Sequence, residues 1–217
     1  MSLALFDLDN TLIAGDSDHL WGEFMVEHGL VDAALYRERN DEFYRAYQRG
    51  ELNIADYLAF ALAPLGRIAM DELERLHRRF LTEKIEPLRL PRAEALIAEH
   101  KARGDVVAII TSTNRFITAP IASLLGVEHL LATELELADG RYTGAVLGSP
   151  CYQAGKIIHL EKWLQDRPDS LQGSYFYSDS HNDLPLLERV DHPVAVDPDP
   201  ILEEAARARG WPIMHLR

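Results

Sequence analysis

The chain has 217 residues, 22 of them Lys or Arg against 35 Asp or Glu, giving a formal net charge of −13. That length suits one domain carrying an insertion, with core enough to fold without staples, and the acidic balance argues against a nucleic-acid partner. The lone Cys151 excludes an internal disulfide and a Cys-based zinc site. The longest stretch without a charge, Tyr142 to Gly155, is too short and too broken by Gly and Pro for a membrane helix. Nothing at the N-terminus resembles a secretion signal, so the expectation is a cytoplasmic protein with no membrane partner.

Leu3 to Phe6 is an apolar run that stops at Asp7, Asp9 and Asn10, the pattern of a fully buried parallel strand. From Asp16 to Ile85 the pattern turns helical. Trp21, Phe24, Met25 and His28 recur at helical spacing, as do Leu73, Leu76 and Phe80, while Gly29, Gly50 and Pro64 to Gly66 divide the stretch into four helices. The expected organisation is a helical cap over 16–85, inserted after the first strand of an α/β core made of 1–15 and 86–217. Pro91 opens a helix that stops at Gly104. Further strands are expected at Val106–Ile110, Tyr175–Tyr177 and Val194–Val196, ending at Thr111 and Ser112, at Ser178 and Asp179, and at Asp197. Between them, Leu135–Leu137 and Tyr142–Leu147 flank an Asp139-Gly140 turn, a small hairpin. Gly155–Gln165 and Ile201–Arg209 are amphipathic. Strands alternating with helices predict a doubly wound, Rossmann-like parallel sheet with right-handed crossovers, whose polar strand ends gather in one crevice.

Two acids at one strand end, Asp7 and Asp9, repel each other unless a cation or shared proton offsets them. Alone they also fit an ordinary solvated strand exit; an EF-hand loop fails for want of its Gly and terminal Glu. Thr111 and Ser112 place hydroxyls and N–H groups near the start of the next helix, which suits an anion, although both residue types are common helix caps. Lys156 opens an amphipathic helix, where a Lys is ordinarily solvated. Ser178 to Asp183 supplies two acids and the amide of Asn182, which also fits a helix cap followed by an acidic turn.

In order, Asp7-Leu-Asp9-Asn-Thr11, Ile109-Ile-Thr111-Ser112, Lys156 and Ser178-Asp179-Ser-His-Asn182-Asp183 resemble the four motifs of the haloacid dehalogenase (HAD) superfamily. They span nearly the whole chain, and the first and last are specific. The position of the helical insertion, and the Leu-Pro-Leu-Leu after Asp183, are similar to the phosphoserine-phosphatase-like branch. The resemblance implies a Mg²⁺-dependent phosphomonoester hydrolase acting on a small-molecule phosphate ester. Asp7 would be the nucleophile and Asp9 the general acid and then base. Asp7, Asp179 and the Asp9 carbonyl would hold Mg²⁺, with Asp183 supporting the metal from behind. Thr111, the Ser112 N–H, Lys156 and Asn182 would hold phosphate oxygens. Dehalogenases of the superfamily lack the second acid, so Asp9 favours phosphoryl transfer over carbon–halogen cleavage. A phosphoserine phosphatase, a phosphotransferase or mutase, and a non-catalytic metal- or phosphate-binding protein of the same fold remain alternatives.

Asp16 lies where phosphoserine phosphatases carry a Glu for the substrate amine, and it equally fits a helix N-cap. Where they carry an Arg for the substrate carboxylate, Tyr57 to Leu62 offers none, and a bidentate Arg is not replaced by an apolar side chain. The resemblance therefore points to an amine-bearing phosphate ester without a carboxylate, such as histidinol phosphate, which similar proteins use. Of the rest, His77, His100 and His159 are expected at the surface or core edge, His181 beside the pocket, Trp21 and Trp163 in the core, and Trp211 closing the C-terminal segment.

Overall fold

A computed structural model describes residues 2–217, so Met1 of the expected core lies outside the described residues. Strand β1 (Leu3–Phe6) is buried along its whole length. Its alternation assigns the two apolar layers. Leu3 and Leu5 join Ala108, Ile110, Phe176 and Ala195 on one side, while Ala4 and Phe6 join Ile109, Tyr177, Val194 and Val196 on the other. A strand covered on both faces has to be apolar at every position, as this one is.

After β1 come α1 (Ser17–Glu27), α2 (Ala33–Gln48), α3 (Ile54–Leu62) and α4 (Met70–Phe80), the four helices of the cap. A π-helical turn at Leu81–Ile85 and a 3₁₀ turn at Glu86–Leu88 bring the chain back, and the Ala14 N–H donates to the Leu88 carbonyl at 2.9 Å, tying the outgoing and returning segments together. The core continues with α5 (Pro91–Ala102), β2 (Val106–Asn114), α6 (Arg115–Leu124) and β3 (His129–Thr133). The hairpin β4 (Leu135–Ala138) and β5 (Arg141–Val146) follows, then α7 (Ala154–Leu164), β6 (Tyr175–Ser178), α8 (Leu184–Leu187), β7 (His192–Val196), α9 (Pro200–Arg209) and β8 (Ile213–Met214). The six-stranded sheet runs β3-β2-β1-β6-β7-β8, all parallel. Chain order reverses between β1 and β6, where an open α/β sheet forms its ligand crevice. Asp7 leaves β1 there, its N–H bonded to the Tyr177 carbonyl at 2.9 Å.

Several expectations need correction. The second strand does not stop at Ile110 but runs to Asn114, with a register shift against β3 between Ile110 and Asn114. Thr111 and Ser112 are therefore strand residues, and Asn114 caps the next helix instead. Strands β3 and β8 went unread, because the apolar run of β3 leads almost directly into the hairpin and β8 is two residues long. His77 and His100 are buried, not at the edge. The ring of His100 sits between the Asp105 carboxylate and the Tyr177 hydroxyl, both at 2.8 Å, and bonded partners are what allow a polar ring inside a core. His77 is satisfied by the Ile117 carbonyl at 3.0 Å. Trp21 does pack the core, among Phe24, Phe80 and Phe116. The hairpin turns on Asp139 and Gly140, both at positive φ, as a two-residue type I′ turn demands.

The start of α7 is tight. A Cβ on Gly155 would lie 2.2 Å from the Pro150 carbonyl oxygen, so only glycine permits this approach. Gly155→Ala should lower the unfolding free energy by about 1–3 kcal/mol, the usual cost of overpacking. Urea denaturation checks this; an unchanged midpoint would contradict the close contact.

Candidate active site

Lys156, in the first turn of α7, is 3% exposed. Its ammonium donates to Asp7 Oδ1 and to Asp183 Oδ2, both at 2.7 Å. Asp183 Oδ2 also accepts from the Ser178 hydroxyl at 2.7 Å. Burial alone would lower the Lys156 pKa, but the carboxylates of Asp183 and Asp7 outweigh it and hold the amine above its ordinary value. One cation between two buried carboxylates leaves net negative charge. Burial raises Asp7 to about 7, with Lys156 opposing and the charges of Asp183 and Asp9 reinforcing.

Asp9 is gripped on both oxygens, accepting from the Ser17 N–H at 2.7 Å and from the Thr113 hydroxyl at 2.8 Å. Burial, then repulsion from Asp16, raises it to about 7. Asn10, at φ +58, turns the chain immediately afterwards. Thr11 faces Asp179: its hydroxyl donates to Asp179 Oδ1 and accepts from the Asp179 N–H, both at 3.1 Å. Asp179 is pushed well above the ordinary carboxylate range by burial and by the charges of Asp7 and Asp183. Asp7 and Asp179, at the ends of the neighbouring strands β1 and β6, repel each other when charged, and with the Asp9 carbonyl they would make an all-oxygen donor set for a cation. Among the described residues no three acid, His or Cys side chains converge as a complete metal cage. Two carboxylates and a carbonyl suit the oxygen preference of Mg²⁺, which takes one or two carboxylates and completes its octahedron with water and substrate phosphate.

The other expected phosphate ligands are placed differently. The Thr111 hydroxyl is buried and accepts from the Thr113 N–H at 3.2 Å, whereas Ser112 and Thr113 line the cavity. Thr113 and Thr11 were missed by sequence reading, although Thr113 shares a strand face with Thr111. The Asn182 amide donates to the Tyr47 carbonyl at 3.1 Å and to Ser180 Oγ at 3.3 Å. Its oxygen accepts from Tyr152 at 3.0 Å and Gln153 at 2.9 Å, so Asn182 ties cap to core. His181 bonds Asp199 at 2.8 Å, beside the cavity rather than on its wall.

Between cap and core lies a cavity of about 40 Å³. Asp7, Asp9, Asp16 and Asp18 line it together with Ser112 and Thr113 from the core and Phe43, Tyr44, Tyr47 and Tyr57 from the cap; no Lys or Arg is among the lining residues. Asp16 is the N-cap of α1, its Oδ1 accepting from the N–H groups of Asp18 at 3.0 Å and His19 at 2.8 Å. Burial raises Asp16, against those two bonds. Asp18 was not singled out in the sequence; burial, with Asp16 adding, raises it to about 8.

The model described as haloacid dehalogenase-like hydrolase matches residues 4–188. The chain belongs to this family, as an enzyme of its phosphatase kind. It is 47% identical to the histidinol-phosphatase of Neisseria meningitidis serogroup C (strain 8013), with 100% of this chain and 99% of that protein covered. A crystal structure of a protein of unknown function from Bordetella pertussis Tohama I superposes with a TM-score of 0.93 at 44% identity, covering 100% and 99% of the two chains. A phospho-aspartyl intermediate analogue of phosphoserine phosphatase gives a TM-score of 0.70 at 25% identity, over 100% of this chain and 93% of the other. Phosphatases of this family generally use Mg²⁺. Among the described residues no helix is long and apolar enough to cross a membrane.

The raised Asp18 predicts a pH-dependent stability. Its folded pKa of about 8 lies above its ordinary 3.8, so the folded state penalises the charged form. That penalty is absent below about pH 4, grows as pH rises to about 8, and is constant beyond. Asp18→Asn should therefore raise the Tm of metal-free protein at about pH 9 and change it little at about pH 4. Thermal melts at the two pH values decide this; an equal change at both would contradict it.

Proposed function

We propose that this chain hydrolyses an amino-alcohol phosphate, such as histidinol phosphate, through a phosphorylated Asp7. The observation that carries the chemistry is the state of Asp7. One oxygen is fixed by Lys156 at 2.7 Å, while the carboxylate remains on the cavity wall. An Asp7 oxygen attacks phosphorus in line, the bond from phosphorus to the substrate oxygen breaks, and Asp9 gives its proton to the departing alkoxide. Asp9 then takes a proton from water as the water attacks phosphorus, the Asp7–phosphorus bond breaks, and phosphate leaves. A pKa near 7 suits a group that gives and regains a proton near neutrality. Ser17 and Thr113 orient it. The Ser112 N–H and Lys156 face the non-bridging phosphate oxygens in this reading, with Thr111 supporting that strand end, Asn182 holding the cap to it, and Asp183 keeping Lys156 in place. Mg²⁺, held by Asp7, Asp179 and the Asp9 carbonyl, would offset the repulsion between Asp7 and the phosphate dianion.

The cap favours an amine over an amino acid. Asp16 and Asp18 line the cavity beside His19, and neither Lys nor Arg does, so a substrate carboxylate would meet like charge without a bidentate cationic partner. The name of the Neisseria relative supports the same reading. Two outcomes follow. Asp7→Asn should abolish phosphate release while the protein stays folded, whereas Asp9→Asn should slow it about 10²–10⁴-fold. The Asp9→Asn loss should be smaller for a nitrophenyl ester, whose leaving group needs no proton; appreciable turnover by folded Asp7→Asn would refute the mechanism. In steady-state assays kcat/KM for histidinol phosphate should exceed that for phosphoserine by more than about a hundredfold, the size expected for a buried carboxylate without a cation; comparable values would refute the substrate reading.

A further inference from the structure

We infer that Asp18, backed by Tyr57, is a second cation-reading group of the cap and selects a substrate carrying a basic ring nitrogen beyond its ammonium group. This rests on the amino-alcohol phosphate reading above. Asp16 and Asp18 stand two residues apart at the start of α1, both on the wall of the cavity that contains Asp7 and Asp9. Repulsion links Asp16 with Asp7, and Asp18 with Asp16 and Asp9. All four acids thus share one cavity, two from the end of β1 and two from the start of α1. Tyr57 lines the same cavity and interacts with the Asp18 carboxylate through its hydroxyl.

The two cap acids differ in what the protein gives them. Asp16 is committed through Oδ1 to two backbone N–H groups. Asp18 receives no Lys or Arg among the described residues, and none lines the cavity. A desolvated carboxylate without a cationic partner is unfavourable, and a bound cation removes that cost. Phe43, Tyr44 and Tyr47 line the same cavity. Such walls take a planar ring, and they take a protonated one better. Asp16 is placed for an ammonium close to the phosphate ester. Asp18 is placed for a nitrogen on a ring further along, as acceptor from its N–H. A helix-stabilising acid in a first turn would need neither the cavity nor the aromatic walls.

The test uses the intact protein hydrolysing nitrophenyl phosphate, with two amino alcohols as competing inhibitors. Histidinol carries ring nitrogens; phenylalaninol has the same amino alcohol on a ring without nitrogen. Wild type should bind histidinol about tenfold or more tightly than phenylalaninol, the size of a charge-assisted hydrogen bond. Asp18→Asn should erase most of that preference, and Tyr57→Phe should reduce it while keeping the carboxylate. Asp16→Asn should weaken both inhibitors alike. Equal binding of the two by wild type would overturn the inference, with no variant needed, and leave the amine reading standing. A histidinol preference that survives in Asp18→Asn would overturn it too. If neither amino alcohol binds better than benzyl alcohol, the amine reading itself falls.

Discussion

The ion triad of Lys156, Asp7 and Asp183 is the constraint on which the rest of the site depends. Its members come from the first turn of α7, the end of β1 and the turn after β6, and all three are nearly inaccessible to water. Buried carboxylates are tolerated only when their charge is offset by geometry this close. The sheet makes the geometry possible: β1 and β6 are paired neighbours, which brings Asp7 to Asp183. The Gly155 approach to Pro150 then fixes where α7 begins and so where the Lys156 stem enters. One cation cannot neutralise every acid, however. The remaining acids, Asp9 and Asp179 with Asp7, are the groups that would hold an oxygen-binding cation in the proposed reading.

The cap uses the same physics for a different end. Its acids, Asp16 and Asp18, line the same cavity as Asp7 and Asp9 of the core, together with aromatic side chains of the cap. The protein stores unfavourable charge on both walls; in the proposed reading the cationic groups of the substrate relieve it in the cap, and a bound Mg²⁺ would relieve it in the core. Binding and chemistry thus draw on one electrostatic arrangement. Cap and core are registered by the Asn182 amide, which reaches the Tyr47 carbonyl, while the Ala14 N–H bond to Leu88 ties the two connecting segments to each other.

The amino-acid sequence shows most of this wherever the signal is local. β1, the four cap helices, the Asp139-Gly140 turn and α5, α7 and α9 each follow from apolar periodicity and end signals carried by their own residues. The motif residues Asp7, Asp9, Lys156, Asp179 and Asp183 were legible through their order along the chain. What escaped depends on tertiary context. β2 continues through Thr111, Ser112 and Thr113 because β3 pairs alongside it with a register shift, and no pattern within Val106–Ile110 announces that neighbour. His100 looks like an exposed helical residue until Asp105 and Tyr177 converge on it. Asp18 reads as one more acid in a helix's first turn; only the fold carries Tyr57 and Asp16 to its side.

The central claim is that the Lys156 charge, and not merely its packing, holds the buried acids together. Replacing Lys156 with Met keeps an apolar stem of similar reach and deletes the charge, leaving Asp7 and Asp183 buried without their cation. The decisive measurement is the unfolding free energy of this variant relative to wild type as a function of pH. The account predicts a loss of about 3–5 kcal/mol near pH 8, the usual consequence of breaking a buried pair, shrinking toward about pH 4 as Asp7 takes up a proton and no longer needs a partner. A loss of the same size at both pH values, or no loss at all, would contradict it.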